Sequence, residues 1–208
     1  ARLSLNQDGS VQLQVGATEI GQGADTVFSQ MAAETLHMDI SRVHIVTQQD
    51  TDVTPFDTGA YASRQSFVTG TAVKECAQQL KQKILEYART LVPGNVDRLE
   101  LEDGYILADG KPAISLEDLA MESYYSLSNS SVLTAEVSRQ VKKNTVASGC
   151  CFAEVEVDMK LGKIKVLDIV NVHDSGTLLN PQLAAMQVHG GMFMGIGYGC
   201  LLYTSDAA

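Results

Sequence analysis

Two short stretches of small residues constrain the fold of this chain more than any other part of the sequence. The first, 16–23 (Gly-Ala-Thr-Glu-Ile-Gly-Gln-Gly), follows an alternating apolar stretch, and the second, 57–64 (Asp-Thr-Gly-Ala-Tyr-Ala-Ser-Arg), precedes a long helical pattern. A helix start carries unpaired N–H groups and a positive dipole end, and glycines let an anion approach the backbone closely. The two stretches together predict a cradle for a large anionic cofactor.

The composition suits a globular domain and excludes a general attraction to polyanions. The 208 residues are 19% charged, and 15 basic and 25 acidic side chains give a net charge of −10. A chain of this length can bury a core, but an acidic surface does not attract nucleic acid or anionic lipid. No apolar run is long enough to cross a bilayer. We therefore expect no nucleic-acid and no membrane partner, so local donors must hold any phosphate.

The cysteines and histidines predict no protein-bound metal. There is no CxxC pair, and no histidine stands at metal-ligand spacing from a cysteine. A structural zinc site and an iron–sulfur cluster are therefore not expected, and the histidines are interpreted as structural. Reduced thiols favour a cytoplasmic location. The cysteines are Cys76, Cys150, Cys151 and Cys200.

Apolar periodicity predicts an alternation of hairpins and helices. Alternation with a period of two indicates strands, turn dipeptides such as Asp8-Gly9 join them, and i, i+4 spacing indicates helices. Asn180 before Pro181 is typical of a helix start, and Ser115 has the spacing of a capping box. The predicted elements are a hairpin over 2–20, a helix over 24–38, a strand at 43–47, a helix over 62–92, a hairpin over 99–110, a loop over 122–146, sheet strands near 155–157 and 164–172, and a helix over 182–198.

Gln22 is the first candidate for binding, because its amide, which can donate and accept, stands between two flexible glycines. Such a group suits a phosphate or an oxo ligand, although a tight turn with a solvated glutamine would look the same. The spacing is not GxGxxG, so a nicotinamide-dinucleotide loop is not predicted. In the second stretch, Ser63 could donate a hydroxyl hydrogen bond and Arg64 could fork onto a phosphate; ordinary helix capping is the alternative.

Gln187 lies in a glycine-rich last helix, one face of which is nearly bare. This predicts that something bulky packs there, with close helix-to-sheet packing as the alternative. Glu19, Glu154 and Glu156 are interpreted as solvated or locally paired groups rather than as acids or bases.

Four ordered motifs carry a resemblance to a known family. They are 16–23, 57–64, Phe-Ala-Glu-Val-Glu-Val-Asp at 152–158, and Leu-Asn-Pro-Gln at 179–182 with Gln-Val-His-Gly-Gly at 187–191. In this order they resemble the molybdenum-binding subunit of the xanthine dehydrogenase and aldehyde oxidase family, over residues 1–199. The resemblance implies an α+β fold, with β-hairpins and a mixed sheet and about three packed helices, as part of a molybdopterin-binding domain. Lobes are expected near 1–93 and 94–199.

The resemblance also implies the cofactor and the residues that contact it. The metal of the family is held by a molybdopterin and not by side chains. Gln22, with its neighbours, is expected near the pterin and the metal's oxo ligand, 60–64 near the phosphates or a cytosine dinucleotide, and Gln187 near the pterin. The implied cofactor-binding residues are Ile20, Gly21, Gln22, Gly23, Ala60, Tyr61, Ala62, Ser63, Arg64 and Gln187.

The family hydroxylates purines or aldehydes with oxygen from water, using a glutamate as general base, and passes electrons to iron–sulfur and FAD subunits. The motif of that glutamate is absent from this sequence, so we expect a fragment, cut also before Ala1, that would not turn over alone. Residues 200–208 break the family pattern and are expected to be a non-native tail. The alternatives are a non-catalytic phosphate- or nucleotide-binding module and a structural remnant of the fold.

Overall fold

The structure is a computed structural model that describes residues 1–94, 96–141 and 145–202, with the backbone alone at 201 and 202. Its contacts divide the chain into two compact units, the first up to 141 and the second from 145. The boundary expected near 93 therefore differs from the observed division. The strands of the described residues are β1 (Arg2–Leu5), β2 (Val11–Gln14), β3 (Val43–Ile45), β4 (Leu99–Glu102), β5 (Tyr105–Ala108), β6 (Lys111–Ser115), β7 (Thr134–Glu136), β8 (Ser148–Asp158) and β9 (Lys163–Asp174), and the helices are α1 (Ala24–Leu36), α2 (Gly70–Leu91), α3 (Leu116–Tyr125) and α4 (Pro181–Gly197).

The first unit contains a mixed four-stranded sheet in the order β3-β2-β1-β7. β1 and β2 form the predicted antiparallel hairpin, with Leu3 opposite Leu13, and Asp8 accepts the Ser10 N–H at 2.9 Å to close the turn. β2 and β3 are parallel, so α1 is the crossover between them. Alternate residues of β1 and β2 are fully buried because their shared face lies against the core.

α1 and α2 pack against each other, α1 contacts β3, and α2 contacts β1 and β7. Phe28 of α1 and Leu80 and Ile84 of α2 are almost completely buried, in one cluster with the apolar residues of the hairpin. This burial of apolar surface is the main stabilising contribution, at about 25 cal/mol per Å² removed from water. The predicted i, i+4 stripe of α2 is confirmed, as is its end before Pro93.

α2 begins later than the spacing predicted. A π-helical turn over Gln65–Thr69 precedes it, and Ala62 and Ser63 have φ angles of 52° and 53°. This left-handed conformation is incompatible with a continuous right-handed helix, so residues 62–64 belong to the loop. Residue-type periodicity cannot detect such a backbone change.

β4, β5 and β6 form an antiparallel meander that leads into α3. The hairpin at 99–110 is confirmed, and the Ser115 hydroxyl accepts the Asp118 N–H at 3.0 Å as the predicted cap. The expected loop at 122–146 is wrong in part, because α3 continues to Tyr125 and β7 pairs with β1 at the sheet edge. β7 has three residues, too few for periodicity to reveal. Positions 142–144 of that expected loop lie outside the described residues.

The second unit contains a long β8–β9 hairpin, α4 and a π-helical turn over Tyr198–Leu202. The two predicted strands do not join the larger sheet; they form a separate two-stranded sheet, with a bulge after Glu154. On one hairpin face near the turn, Glu156 lies opposite Lys165 and Asp158 opposite Lys163. Glu154 and Glu156 are exposed, as expected. Positions 203–208 of the expected tail lie outside the described residues.

Candidate functional site

The strand topology brings the two small-residue stretches to the same edge of the sheet. β2 and β3 are parallel neighbours, with Leu13 opposite Ile45. The segment 15–23 leaves the carboxyl end of β2, and the segment 46–64 leaves the carboxyl end of β3. The carboxyl ends of parallel strands meet at one edge, which is a common location for ligand sites. We call these segments the first loop (15–23) and the second loop (46–64).

Gly16 lets the two loops touch. A Cβ atom at this position would lie 1.9 Å from the carbonyl oxygen of Pro55 and 2.8 Å from the backbone nitrogen of Asp57. No side chain fits that space, so the backbone of the second loop passes directly over Gly16. Gln49 adds to the contact, because its side-chain amide bonds the Ala17 carbonyl and accepts a hydrogen bond from the Thr18 hydroxyl at 3.0 Å.

The Gln22 amide joins the first loop to the π-helical turn that follows the second loop, instead of extending into solvent. Its Oε1 accepts the Ile20 N–H at 2.6 Å, and its Nε2 donates to the Thr18 carbonyl at 2.9 Å and to Gln65 Oε1 at 2.7 Å. Gln65, the first residue of the π-helical turn, is buried. Sequence reasoning missed Gln65, and no feature of its neighbourhood distinguishes it from other helix glutamines. The solvated-turn alternative for Gln22 therefore does not describe this structure.

Glu19 is not a solvated carboxylate. It accepts the N–H groups of Gly21 at 2.7 Å, Gly23 at 3.1 Å and Asp25 at 3.1 Å, and so caps α1, whose own N-cap residue Gly23 has no side chain to do so. Burial alone would raise the pKa of Glu19, but these backbone bonds hold the pKa below its usual range. The amides that were expected to grip an anion are thus already occupied by the chain's own carboxylate.

Asp57 organises the second loop. Its Oδ1 accepts from the Gly59 N–H at 2.9 Å and from Arg64 Nη1 at 2.5 Å, and its Oδ2 accepts from the Thr69 hydroxyl at 2.9 Å. Burial would raise the pKa of Asp57, but these hydrogen bonds and the charge of Arg64 hold the pKa below its usual range. Arg64 therefore already bonds the protein through one of its nitrogens. Its Nη1 donates both to Asp57 Oδ1 and to the Gly59 carbonyl.

The tip of the second loop offers backbone donors that the first loop does not. Within the described residues, the N–H groups of Ala60, Tyr61 and Ala62 bond no protein acceptor. The Arg64 guanidinium lies 5.6 Å from the centre of the Tyr61 ring, close enough for a cation–π interaction. Ser63, next to them, is exposed. Backbone donors beside a cation are the arrangement that binds phosphate oxygens.

Both loops carry exposed apolar side chains. Ile20 is 69% exposed, Phe56 91% and Tyr61 57%, and nothing lies within 4 Å of a Cβ placed on Gly21. Exposed apolar groups beside polar donors are found at binding surfaces. The small residues, open donors and apolar rim fit a bulky ligand with an anionic end.

Gln187 lies in the second unit, on the exposed surface of α4. Asn180 accepts the Leu183 N–H at 3.0 Å and Pro181 opens the helix, which confirms the predicted start. A Cβ placed on Gly191 or Gly195 would have no neighbour within 4 Å. The second unit thus offers a bare helix face next to the Gln187 amide.

Two further findings concern metals and membranes. Over 1–94, 96–141 and 145–202, no group of three His, Cys, Asp or Glu side chains could hold a metal ion. His37, interpreted from the sequence as structural, bonds Glu102 at 2.8 Å. In the same described ranges, no helix has both the length and the apolarity needed to span a bilayer.

Comparison with known proteins gives consistent matches. Residues 1–201 match the family model described as a molybdopterin cofactor-binding domain. The chain is 50% identical, over 95% of its length, to the xanthine dehydrogenase molybdenum-binding subunit of Escherichia coli O157:H7, and 26% identical, over 96%, to the nicotine 6-hydroxylase large subunit of Paenarthrobacter nicotinovorans. The alternative of a non-catalytic nucleotide-binding module gains no support from these matches.

A solved structure matches the fold as well. Quinoline 2-oxidoreductase from Pseudomonas putida 86 superimposes with a TM-score of 0.79 and 25% identity, over 94% of this chain and 26% of that chain. The chain spans only 27% and 25% of the lengths of the two curated relatives. The comparison therefore concerns one domain-sized portion of much longer proteins.

Proposed function

The chain belongs to the molybdopterin cofactor-binding domain family, and from this we propose that its two loops and α4 contact the cofactor of a molybdenum hydroxylase. The first loop supplies Ile20, Gly21, Gln22 and Gly23, and the second supplies Ala60 to Arg64. Gln187 is proposed as a further contact, to the pterin. When bound, the cofactor supplies the metal and the redox chemistry, and the protein supplies binding, orientation and electrostatics.

The second loop is proposed to bind the phosphate end of the cofactor. Its open N–H groups at Ala60, Tyr61 and Ala62 are neutral donors, and Arg64 adds a positive charge held beside them. Hydrogen bonds to an ionised acceptor are about twice as strong as those between neutral groups. Because the chain has a net charge of −10, such a local arrangement is needed to hold a polyanion.

The first loop is proposed to contact the pterin end mainly through its shape and through Gln22. Glu19 and Gln22 already bond the N–H groups of Ile20, Gly21 and Gly23, which fixes the loop and leaves open space above Gly21. Rearrangement of one Gln22 bond would present its amide to a ligand oxygen. A fixed loop loses little conformational entropy on binding, which favours affinity.

For the whole protein, we propose oxidation of a purine or an aldehyde, with the cofactor in its cytosine dinucleotide form and with iron–sulfur and FAD subunits as electron acceptors. The relative with 50% identity is a xanthine dehydrogenase subunit, which supports a purine substrate over the alternatives. We also propose a cytoplasmic location, because Cys150 and Cys151 are adjacent, exposed and free.

The observation that carries the proposal is the packing of the two loops against each other at one sheet edge. Gly16 contacts the backbone at 55–57, and the Gln22 amide bonds Gln65, the residue directly after the second loop, at 2.7 Å. Loops on separate surfaces could not contact one pterin nucleotide, whereas adjacent loops can.

The test uses Gln22→Ala and Arg64→Ala in the full-length protein. We expect the first to lower molybdenum content, measured by plasma mass spectrometry. The second should lower the amount of nucleotide released on denaturation, measured by liquid chromatography with mass spectrometry. Each loss should be several-fold, because a charge-assisted or buried hydrogen bond contributes about 1–3 kcal/mol.

Matched controls exist for both substitutions. Gln79 is exposed on α2, and Arg98 is an exposed arginine paired only with Glu100 in the described structure. Gln79→Ala and Arg98→Ala should leave metal and nucleotide at wild-type levels. Equal metal and nucleotide contents in all four variants would rule out the assigned contacts.

A further inference from the structure

Asp57 has a role that neither the family membership nor the motif assigns. We propose that Asp57 is a positioning residue, which holds the tip of the second loop in the shape that binds the phosphate end of the cofactor. This inference rests on the proposed function of residues 60–64. Asp57 is not proposed to contact the cofactor itself, because its carboxylate already accepts hydrogen bonds from protein donors.

The burial and bonding of Asp57 suit this role. Its side chain is only 9% exposed, and its two oxygens receive three donors: the Gly59 N–H, Arg64 Nη1 and the Thr69 hydroxyl. Thr69 is itself buried at the end of the π-helical turn. One carboxylate therefore ties the loop to a fixed point in the core.

The same contacts close the loop tip into a ring. Arg64 Nη1 bonds both Asp57 Oδ1 and the Gly59 carbonyl, so the residues between 59 and 64 bulge outward from a common anchor. The N–H groups of Ala60, Tyr61 and Ala62 lie on this bulge. Without the carboxylate, both the Gly59 end and the Arg64 end of the ring lose a partner at once.

The backbone of the tip needs such an anchor. Ala62 and Ser63 are consecutive residues with side chains in the left-handed region, at φ 52° and 53°. Each such residue is disfavoured relative to the ordinary conformation and persists only where surrounding contacts determine it. Asp57 and its partners are buried contacts beside this pair. The tip is therefore expected to relax when the Asp57 carboxylate is removed.

Asp57 also fixes the cation that the site uses. An arginine side chain has several rotatable bonds, and ordering it on binding weakens affinity. The 2.5 Å contact with Asp57 and the position over Tyr61 fix the guanidinium in advance, beside the open N–H groups. The remaining guanidinium donors, on Nε and Nη2, then have a defined position from which to reach a phosphate.

The test compares Asp57→Ala, Asp57→Asn and Arg64→Ala in the full-length protein. The first readout is hydrogen–deuterium exchange of the peptide covering 57–64 in cofactor-free protein, with the 99–108 hairpin as internal reference. The second is the fraction of nucleotide retained after prolonged dialysis of the loaded protein. Asp57→Ala should speed exchange of the hydrogen-bonded Gly59 and Arg64 N–H groups within 57–64 at least tenfold and leave the reference unchanged. It should also speed nucleotide loss at least tenfold.

Asp57→Asn is the conservative variant. Its Oδ1 can still accept the Gly59 N–H, so the exchange rate in 57–64 should return most of the way to that of the wild type. Because the charge that faces Arg64 is lost, nucleotide retention should lie between that of the wild type and that of Asp57→Ala. Thr69→Val is the matched control for the anchor: it removes one donor to Asp57 at nearly constant size, and we expect a smaller change of the same sign.

Three outcomes would overturn the inference, and they have different meanings. Equal acceleration of exchange in 57–64 and in the reference hairpin would show a general structural role for Asp57. Normal retention in Asp57→Ala, together with nucleotide loss in Arg64→Ala, would show that the site binds without this anchor. Normal retention in both variants would instead remove the proposed function of the loop, and the positioning role with it.

Discussion

Replacement of Gly16 by alanine should separate the two loops. The new Cβ would lie 1.9 Å from the Pro55 carbonyl oxygen, about 1.5 Å short of the 3.4 Å at which ordinary contact begins, and the opposing atoms are backbone. Overpacking of this kind costs about 1–3 kcal/mol. Relief of this clash would also move the second loop away from the first, so the two loops could no longer contact one cofactor as proposed. We therefore expect a free energy of unfolding that is lower by about 1–3 kcal/mol and a clear loss of bound cofactor.

The assays are urea unfolding of the cofactor-free protein and molybdenum content of the protein purified from cells. Gly70→Ala is the matched control, because a Cβ there would press only on the end of the flexible Met31 side chain, at 2.9 Å, while the Gln65 carbonyl oxygen is at an ordinary 4.0 Å. Gly70 also has helical dihedral angles, so alanine should be neutral or stabilising. Wild-type stability and wild-type molybdenum content in Gly16→Ala would refute the reasoning that the loops depend on this contact.

Three further predictions concern smaller parts of the structure. Ser115→Ala should lower the unfolding free energy by about 1 kcal/mol because α3 loses its cap; an unchanged urea midpoint would contradict this. Glu19 stabilises the fold in its charged form, since its pKa is lowered. The stability difference between wild type and Glu19→Gln should therefore be full above the usual glutamate range and shrink as the pH falls through the lowered pKa; a constant difference in urea titrations would argue against the cap. Gln22→Ala and Gln65→Ala should show a coupling of about 0.5–1.5 kcal/mol in a double-mutant cycle, whereas additive effects would mean that their hydrogen bond contributes nothing.

Most elements of the fold could be predicted from the sequence, because their apolar residues repeat with a clear period. The hairpin around Asp8-Gly9, α1, the body of α2 and the Asn180 cap are confirmed for that reason. β7 was not predicted because a strand of three residues is too short to show a period. The start of α2 was predicted too early because two left-handed residues, neither of them glycine or proline, precede the helix.

The candidate site was predictable in its location but not in its bonding. Small residues at 16–23 and 57–64 mark places where the backbone is approached closely, and the structure brings these two stretches together. What approaches Gly16, however, is the chain itself, and the partner of the Gly21 and Gly23 amides is Glu19. Whether a glycine serves a ligand or a neighbouring loop depends on tertiary packing, which residue types alone do not encode.

The pairing of β1 with β7 has a consequence for how the protein is made. Ser4 and Thr134 bond at 3.0 Å across a separation of 130 residues. At about 5–20 residues per second, β1 leaves the ribosome on the order of ten seconds before its edge partner is synthesised. During that interval the growing chain presents an unpaired strand edge, which is where association between nascent chains begins. Substitutions that slow translation between these strands should therefore lower the soluble yield without changing the finished fold.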